Sequence, residues 1–87
     1  KTKAYQVQLA ASRSSERARN EWSRLRRNNL DLVGDLKLTV VRVDLGKEKG
    51  VFFRLRVGPL PNVNEARQLC SALKKRRVGC LVVRPGK

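Results

Sequence analysis

The sequence has no histidine and only two cysteines, Cys70 and Cys80, which limits the chemistry open to it. Histidine is the usual general base near neutral pH and the commonest metal ligand, and two cysteines alone cannot complete a four-ligand zinc site. Paired-carboxylate motifs and glycine-rich phosphate loops are also missing, and the seven acidic residues are scattered. We therefore expect no catalytic residue, no metal site and no cofactor, and we do not expect an enzyme.

Long apolar runs are missing as well, since no segment approaches the roughly 20 apolar residues that a membrane-spanning helix needs. The chain begins at Lys1 rather than Met, so we expect a domain of a longer protein, with any signal or anchor outside these 87 residues. The length fits one domain, residues 1–87, with an ordered core of about residues 4–84. We expect this domain to be a monomer.

Acidic residues are scarce: 21 Lys and Arg face 7 Asp and Glu, a net charge of +14. Such an excess favours an anionic partner, whether nucleic acid, anionic lipid or a polymer with scattered carboxylates. For any single Lys or Arg, the plain alternative is a solvated charge on a helix face that has no binding role. A lipid surface is the weaker candidate, because neither predicted helix pairs a large exposed apolar face with its basic residues.

The first half of the chain predicts a strand followed by a helix. Residues 4–10 alternate between apolar and polar side chains, as in a half-buried strand. Ser14 is a suitable N-cap, and Ala18, Trp22 and Leu25 then recur at helical spacing, so we expect a helix that ends near Asn28 or Asn29. Trp22 lies on this apolar stripe, so we expect it in the core rather than stacked on a ligand.

The second half predicts two strands, a helix and a final strand. Residues 36–45 and 51–57 are rich in β-branched and aliphatic side chains and flank a glycine-containing turn, and Gly58-Pro59 should end the second of these strands. Asn62 followed by Glu65 is typical of a helix start, and Gly79 of a break before a strand at 80–84. The core side of the 36–45 strand stays open between two registers.

The order is therefore βαββαβ, and an offset of 48 residues superposes the two halves, with Val7 on Leu55 and Ala18 on Ala66. Each helix stripe needs an apolar sheet face to cover it. We expect an α+β fold, a ribonucleoprotein-like two-layer sandwich in which a four-stranded antiparallel sheet carries two helices on one face. The opposite face of the sheet is left for function.

Each half of the chain contains one distinctive motif. Tyr5-Gln-Val-Gln-Leu9 lies in the first half and Phe53-Arg-Leu-Arg-Val-Gly-Pro-Leu60 in the second. They resemble the Val-Gln-Leu-Gly-Ser-Phe and Arg-Val-x-Val-Gly-Pro-Phe motifs of the SPOR domain family, and the resemblance covers nearly the whole chain. Residues 10–12 and Leu60 depart from these patterns, which alters one wall of the expected site. The resemblance implies a βαββαβ fold. It also implies that the binding partner is the peptide-stripped (denuded) glycan strand of peptidoglycan, and that the domain acts in the periplasm or cell envelope at the division septum.

Residues on the free sheet face suit such a partner. Gln6 and Gln8 offer amide donors and acceptors for hydroxyl and N-acetyl groups, and Phe52 offers an apolar surface for a sugar ring. Arg54 and Arg56 can pair with the lactyl carboxylate of a denuded strand. These five residues are our candidate site, and the plain alternative is that glutamine and arginine only solubilise an exposed sheet face. Lys37 and Thr39 are added only weakly, because the register of the 36–45 strand is open.

Two questions stay open in the sequence. An RNA-binding module of the RRM type shares the βαββαβ order, but it stacks bases on two or three sheet aromatics, and here Phe52 alone is predicted to face outward, so we expect no nucleic acid. Cys70 and Cys80 lie level along a helix and the following strand. Packed layers normally sit farther apart than the roughly 7 Å that a disulfide allows, so a disulfide remains an alternative to two buried thiols.

Overall fold

The computed structural model describes residues 4–86, which form four strands and four helices. The two long helices are α1 (Ser15–Asn28) and α4 (Val63–Lys75), and the two short ones are α2 (Leu30–Val33) and α3 (Gly46–Lys49). The strands are β1 (Tyr5–Ser12), β2 (Lys37–Asp44), β3 (Val51–Leu60) and β4 (Leu81–Val83). No helix within residues 4–86 is long and apolar enough to span a membrane.

The strands form one antiparallel sheet in the order β2-β3-β1-β4, with α1 and α4 packed on it, which confirms the predicted α+β fold. The expected helix caps are also present. The Ser14 side chain accepts a hydrogen bond from the backbone N–H of Arg17 at 3.0 Å, and the Asn62 Oδ1 accepts one from Glu65 at 2.9 Å. Both bonds satisfy donors that a helix start leaves unpaired.

The core lies between the sheet and the two long helices. Val7, Leu9, Leu55 and Val57 meet Trp22, which is 9% exposed and therefore lies in the core as predicted. The same packing decides the register of β2: Leu36 and Leu38 pack against this cluster, whereas Val41 and Val43 point to the other side of the sheet.

The expected end of β3 at Gly58-Pro59 is wrong, because the strand continues through a cis peptide bond to Leu60. Proline lacks an N–H and is tolerated in sheets at irregular positions. Here the register between β1 and β3 shifts just where Pro59 lies, between the pairs Val7–Val57 and Tyr5–Leu60. A Cβ on Gly58 would lie 2.9 Å from the Tyr5 carbonyl oxygen, so this close approach requires glycine.

A disulfide joins Cys70 of α4 to Cys80, with the two Cα atoms 5.1 Å apart. The predicted strand at 80–84 is too long by one residue at each end: β4 runs from Leu81 to Val83, so Cys80 belongs to the loop that leads into it. Because Cys80 lies in this loop, its Cα comes closer to α4 than the usual distance between a sheet and the helix packed on it. Both cysteines are buried. The disulfide links α4 to the residue just before β4.

Candidate functional site

One face of the sheet is covered by α1 and α4, and we call the opposite side the open face. Strand alternation and the observed register decide which side chains belong to it. They are Gln6, Gln8 and Ala11 of β1, Lys37, Thr39, Val41 and Val43 of β2, Phe52, Arg54 and Arg56 of β3, and Leu81 and Val83 of β4. All five residues of the predicted site therefore lie on this face, together with the weakly assigned Lys37 and Thr39.

Gln8 and Arg56 form the centre of the open face. They are direct partners across β1 and β3, and the Arg56 Nε donates a hydrogen bond to the Gln8 Oε1 at 3.1 Å. This bond orients the amide of Gln8 with its NH₂ group away from Arg56 and leaves the two terminal nitrogens of the guanidinium for another acceptor. The pair thus presents several donors to a ligand above the sheet.

A second polar group lies beside this pair. The Gln6 Nε2 lies 3.4 Å from the Thr39 hydroxyl and donates to it across β3. The amide can cross because the β3 residue in its path is Gly58: a Cβ there would lie 3.1 Å from the Gln6 Cγ. Gln6, Lys37, Thr39, Gly58 and Pro59 line a shallow depression of about 460 Å³, which is large enough for a sugar ring.

The electrostatics of the open face are one-sided. Its strand positions within residues 4–86 include Lys37, Arg54 and Arg56 but no carboxylate. Partial burial and the neighbouring charge of Arg54 lower the pKa of Arg56, which means that its charged form is less stable here than in water. An anion bound beside these two arginines would relieve that cost. The two ion pairs seen among residues 4–86, Arg24–Glu21 and Arg76–Asp31, lie on the helices instead.

Phe52 is placed at one end of the open face, where it is the partner of Val43. The guanidinium carbon of Arg13 lies 4.3 Å from the centre of its ring, in a cation–π contact. Sequence reasoning missed Arg13, because the contact joins the end of β1 to the start of β3 and no local pattern signals it. A ligand that stacks on Phe52 has to use the remaining surface of the ring or displace Arg13.

Sequence reasoning also missed Leu81 and Val83. Leu81 is the partner of Gln8 and is 63% exposed, and Val83 is the partner of Gln6. The signal was available, since β4 alternates and Val82 packs against the core. These two aliphatic side chains border the polar centre on one side, as Val41 does on the other.

Comparisons with known proteins agree with this architecture. A family model described as SPOR domain matches residues 1–84 of the 87-residue chain. Searches of curated proteins and of solved structures gave no significant match. Because the family match covers almost the entire chain, this protein belongs to the SPOR domain family, whose non-catalytic members bind peptidoglycan at the division septum.

Proposed function

We propose that this domain binds denuded glycan strands of peptidoglycan on its open face and thereby brings its parent protein to the septum, on the envelope side of the membrane. The observation that carries the proposal is the Gln8–Arg56 pair, flanked by Gln6 and Arg54, at the centre of a sheet face whose described residues include no carboxylate. Amide and guanidinium donors match the hydroxyl, N-acetyl and carboxylate oxygens of such strands.

The arginines account for the preference for stripped strands. While a stem peptide is attached, the lactyl carboxyl group is an amide and carries no charge. Removal of the stem peptides exposes one carboxylate on every second sugar. Arg54 and Arg56 are neighbours on β3, two residues apart, and Arg56 is partly desolvated. A carboxylate placed between them gains charge-assisted hydrogen bonds that a neutral amide cannot provide.

The aliphatic borders of the open face support a sugar rather than a base. Pyranose rings present C–H faces, and Leu81 with its neighbour Val83 offers an apolar strip beside Gln8 and Gln6. RNA-binding sheets of this topology instead rely on stacked aromatics. Within residues 4–86 the only aromatic side chain on the open face is Phe52, already in contact with Arg13, while Tyr5 packs against the core.

The test is co-sedimentation of the domain with purified sacculi, before and after an amidase removes the stem peptides. Binding should rise after treatment, and Gln8→Glu should reduce it, because the new carboxylate pairs with Arg56 in place of the ligand. Arg54→Ala should weaken binding by about 10- to 100-fold, the equivalent of one hydrogen bond to a charged group.

Arg42→Ala is the matched control, because Arg42 is exposed on the helix side of β2, the strand next to β3. It removes the same charge from the neighbouring strand and should leave binding within about two-fold of the original. Equal loss in Arg42→Ala and Arg54→Ala would mean that net charge, not the open face, holds the glycan. No binding to treated sacculi by the folded domain would refute the proposal.

A further inference from the structure

The outer edge of β1 is only partly covered. On one side β1 pairs with β3 as far as Ser12, whereas on the other side its pairing with β4 stops at Gln8, opposite Leu81. Within residues 4–86 no strand pairs with the outer edge of β1 from Leu9 to Ser12. Proteins usually protect such edges with charged side chains or proline, but residues 10–12 are Ala, Ala and Ser. The loop residue Gly79 lies close to the Leu9 carbonyl, so the part of this edge that is accessible to another extended chain runs from Ala10 to Ser12.

A groove runs along this edge on the helix side of the sheet. It consists of two adjoining depressions of about 370 and 250 Å³, between α1 on one side and β1 with the loop before β4 on the other. Glu21 lines both of them, and Leu9 and Ala10 lie at their junction. The groove is therefore an elongated cleft beside a strand edge, the shape that receives a peptide in strand addition.

The groove is rimmed by cations. Arg17, Arg24, Arg76 and Arg77 line it, and Glu21, the one acidic lining residue in the part of the chain that the structure describes, is paired with Arg24. Arg76 is likewise engaged by Asp31. No ion pair is seen for Arg17 or Arg77 among residues 4–86. These two arginines lie toward opposite ends of the groove and remain available to carboxylates of a ligand.

Arg77 adopts a backbone conformation that disfavours its own side chain. Its φ is +65°, and it follows α4 in a Schellman arrangement, in which the Val78 N–H bonds the Leu73 carbonyl at 3.0 Å and the Arg77 N–H bonds that of Lys74 at 2.9 Å. Glycine is the usual residue at this position, and other residues cost about 1 kcal/mol or more there. Strain of this kind is typical of functional positions.

We propose that an extended, acidic peptide segment of a partner protein adds to the outer edge of β1 at Ala10–Ser12, with its carboxylates paired to Arg17 and Arg77. The exposed backbone groups of the edge supply main-chain hydrogen bonds, and the rim supplies charge complementarity. This surface is separate from the open face: it lies at the sheet edge on the side of the helices. It therefore adds a protein-binding site to a glycan-binding domain.

The test uses the ¹⁵N-labelled domain and an octapeptide of alternating Glu and Val, with an alternating Lys and Val octapeptide as the charge-reversed probe. The acidic peptide should shift the amide signals of residues 10–12 and protect them from hydrogen exchange, and the basic peptide should do neither. Arg77→Gly and Arg17→Ala should each weaken binding by about two- to five-fold, the range for one exposed ion pair.

Arg77→Gly separates binding from folding, because it removes the cation while relieving the backbone strain. Arg19→Ala is the matched control: Arg19 is exposed on α1 but does not line the groove, so affinity should be unchanged. Equal weakening by Arg19→Ala, or equal shifts on the same amides from soluble polyphosphate, would overturn the proposal in favour of unspecific charge attraction. Shifts confined to Arg54 and Arg56, or no binding at millimolar peptide, would overturn it as well.

Discussion

Loss of the Cys70–Cys80 disulfide should destabilise this domain more than most single side-chain changes would. The bond closes a loop with a sequence separation of 10 residues. The loop-closure relation then gives a loss of about 2.5 to 3 kcal/mol at 25 °C, because the reduced unfolded chain regains conformational entropy. A chain of this length has a total stability on the order of 4 to 13 kcal/mol, so reduction should remove a large share of it.

The same change should also affect the open face, where we propose that the glycan binds. β4 has three residues and pairs only with Gln6, Val7 and Gln8 of β1, and the disulfide fastens its start to α4. A short edge strand without this anchor frays easily. Reduction should therefore weaken sacculus binding even under conditions where the core of the domain remains folded, because Leu81 and Val83 leave the border of the site.

Urea titration with and without a phosphine reductant measures the effect on stability. With an m-value near 1 kcal/mol per molar urea, the midpoint should fall by about 2.5 to 3 M. A double Cys70→Ala, Cys80→Ala variant is the control, since its midpoint should not respond to the reductant. A shift below about 0.5 M in the parent domain, with reduction verified by mass, would refute the loop-entropy reasoning.

Three further changes test the helix layer. Arg77→Gly should raise stability by about 1 kcal/mol and the melting temperature by about 4–8 °C, because glycine is unstrained at this positive φ; an unchanged melting temperature would contradict this. Asn29→Ala should cost about 1–3 kcal/mol in chemical denaturation, since this buried amide bonds the Leu25 carbonyl and Arg76, whereas exposed Asn28→Ala should cost little. Arg76 lowers the pKa of Asp31, so the stabilisation from this pair should be complete above the ordinary pKa of 3.8 and disappear as the pH falls through the lowered pKa; Asp31→Asn should abolish that part of the pH profile.

Local sequence patterns were sufficient for most of the fold. The alternation in β1, the caps at Ser14 and Asn62, and the apolar stripes of α1 and α4 each depend on neighbours within a few residues, and the structure confirms them. The same alternation placed the five candidate site residues on one face. Local signals of this kind are reliable because strand and helix periods fix where side chains point.

Features that depend on distant partners were not predictable in this way. The continuation of β3 past Pro59 depends on a register shift opposite β1, and the choice of core side in β2 depends on Leu36 and Leu38 meeting a cluster built elsewhere. Arg13 over Phe52 joins residues 39 positions apart. The free edge of β1 exists only because β4 is three residues long, a length that its own apolar sequence does not reveal.

Salt dependence separates the glycan proposal from the RNA alternative most directly. RNA releases about 0.7 counterions per phosphate contact, so five contacts would cost about 100-fold in affinity between 50 and 200 mM salt. A denuded glycan carries one carboxylate on every second sugar and therefore meets Arg54 and Arg56 with only one or two charges. Its affinity should fall by less than about ten-fold over the same range, since its remaining contacts are neutral hydrogen bonds and apolar packing. A 100-fold loss on denuded glycan, measured by co-sedimentation at both salt concentrations, would show that long-range charge rather than the Gln8–Arg56 centre drives binding.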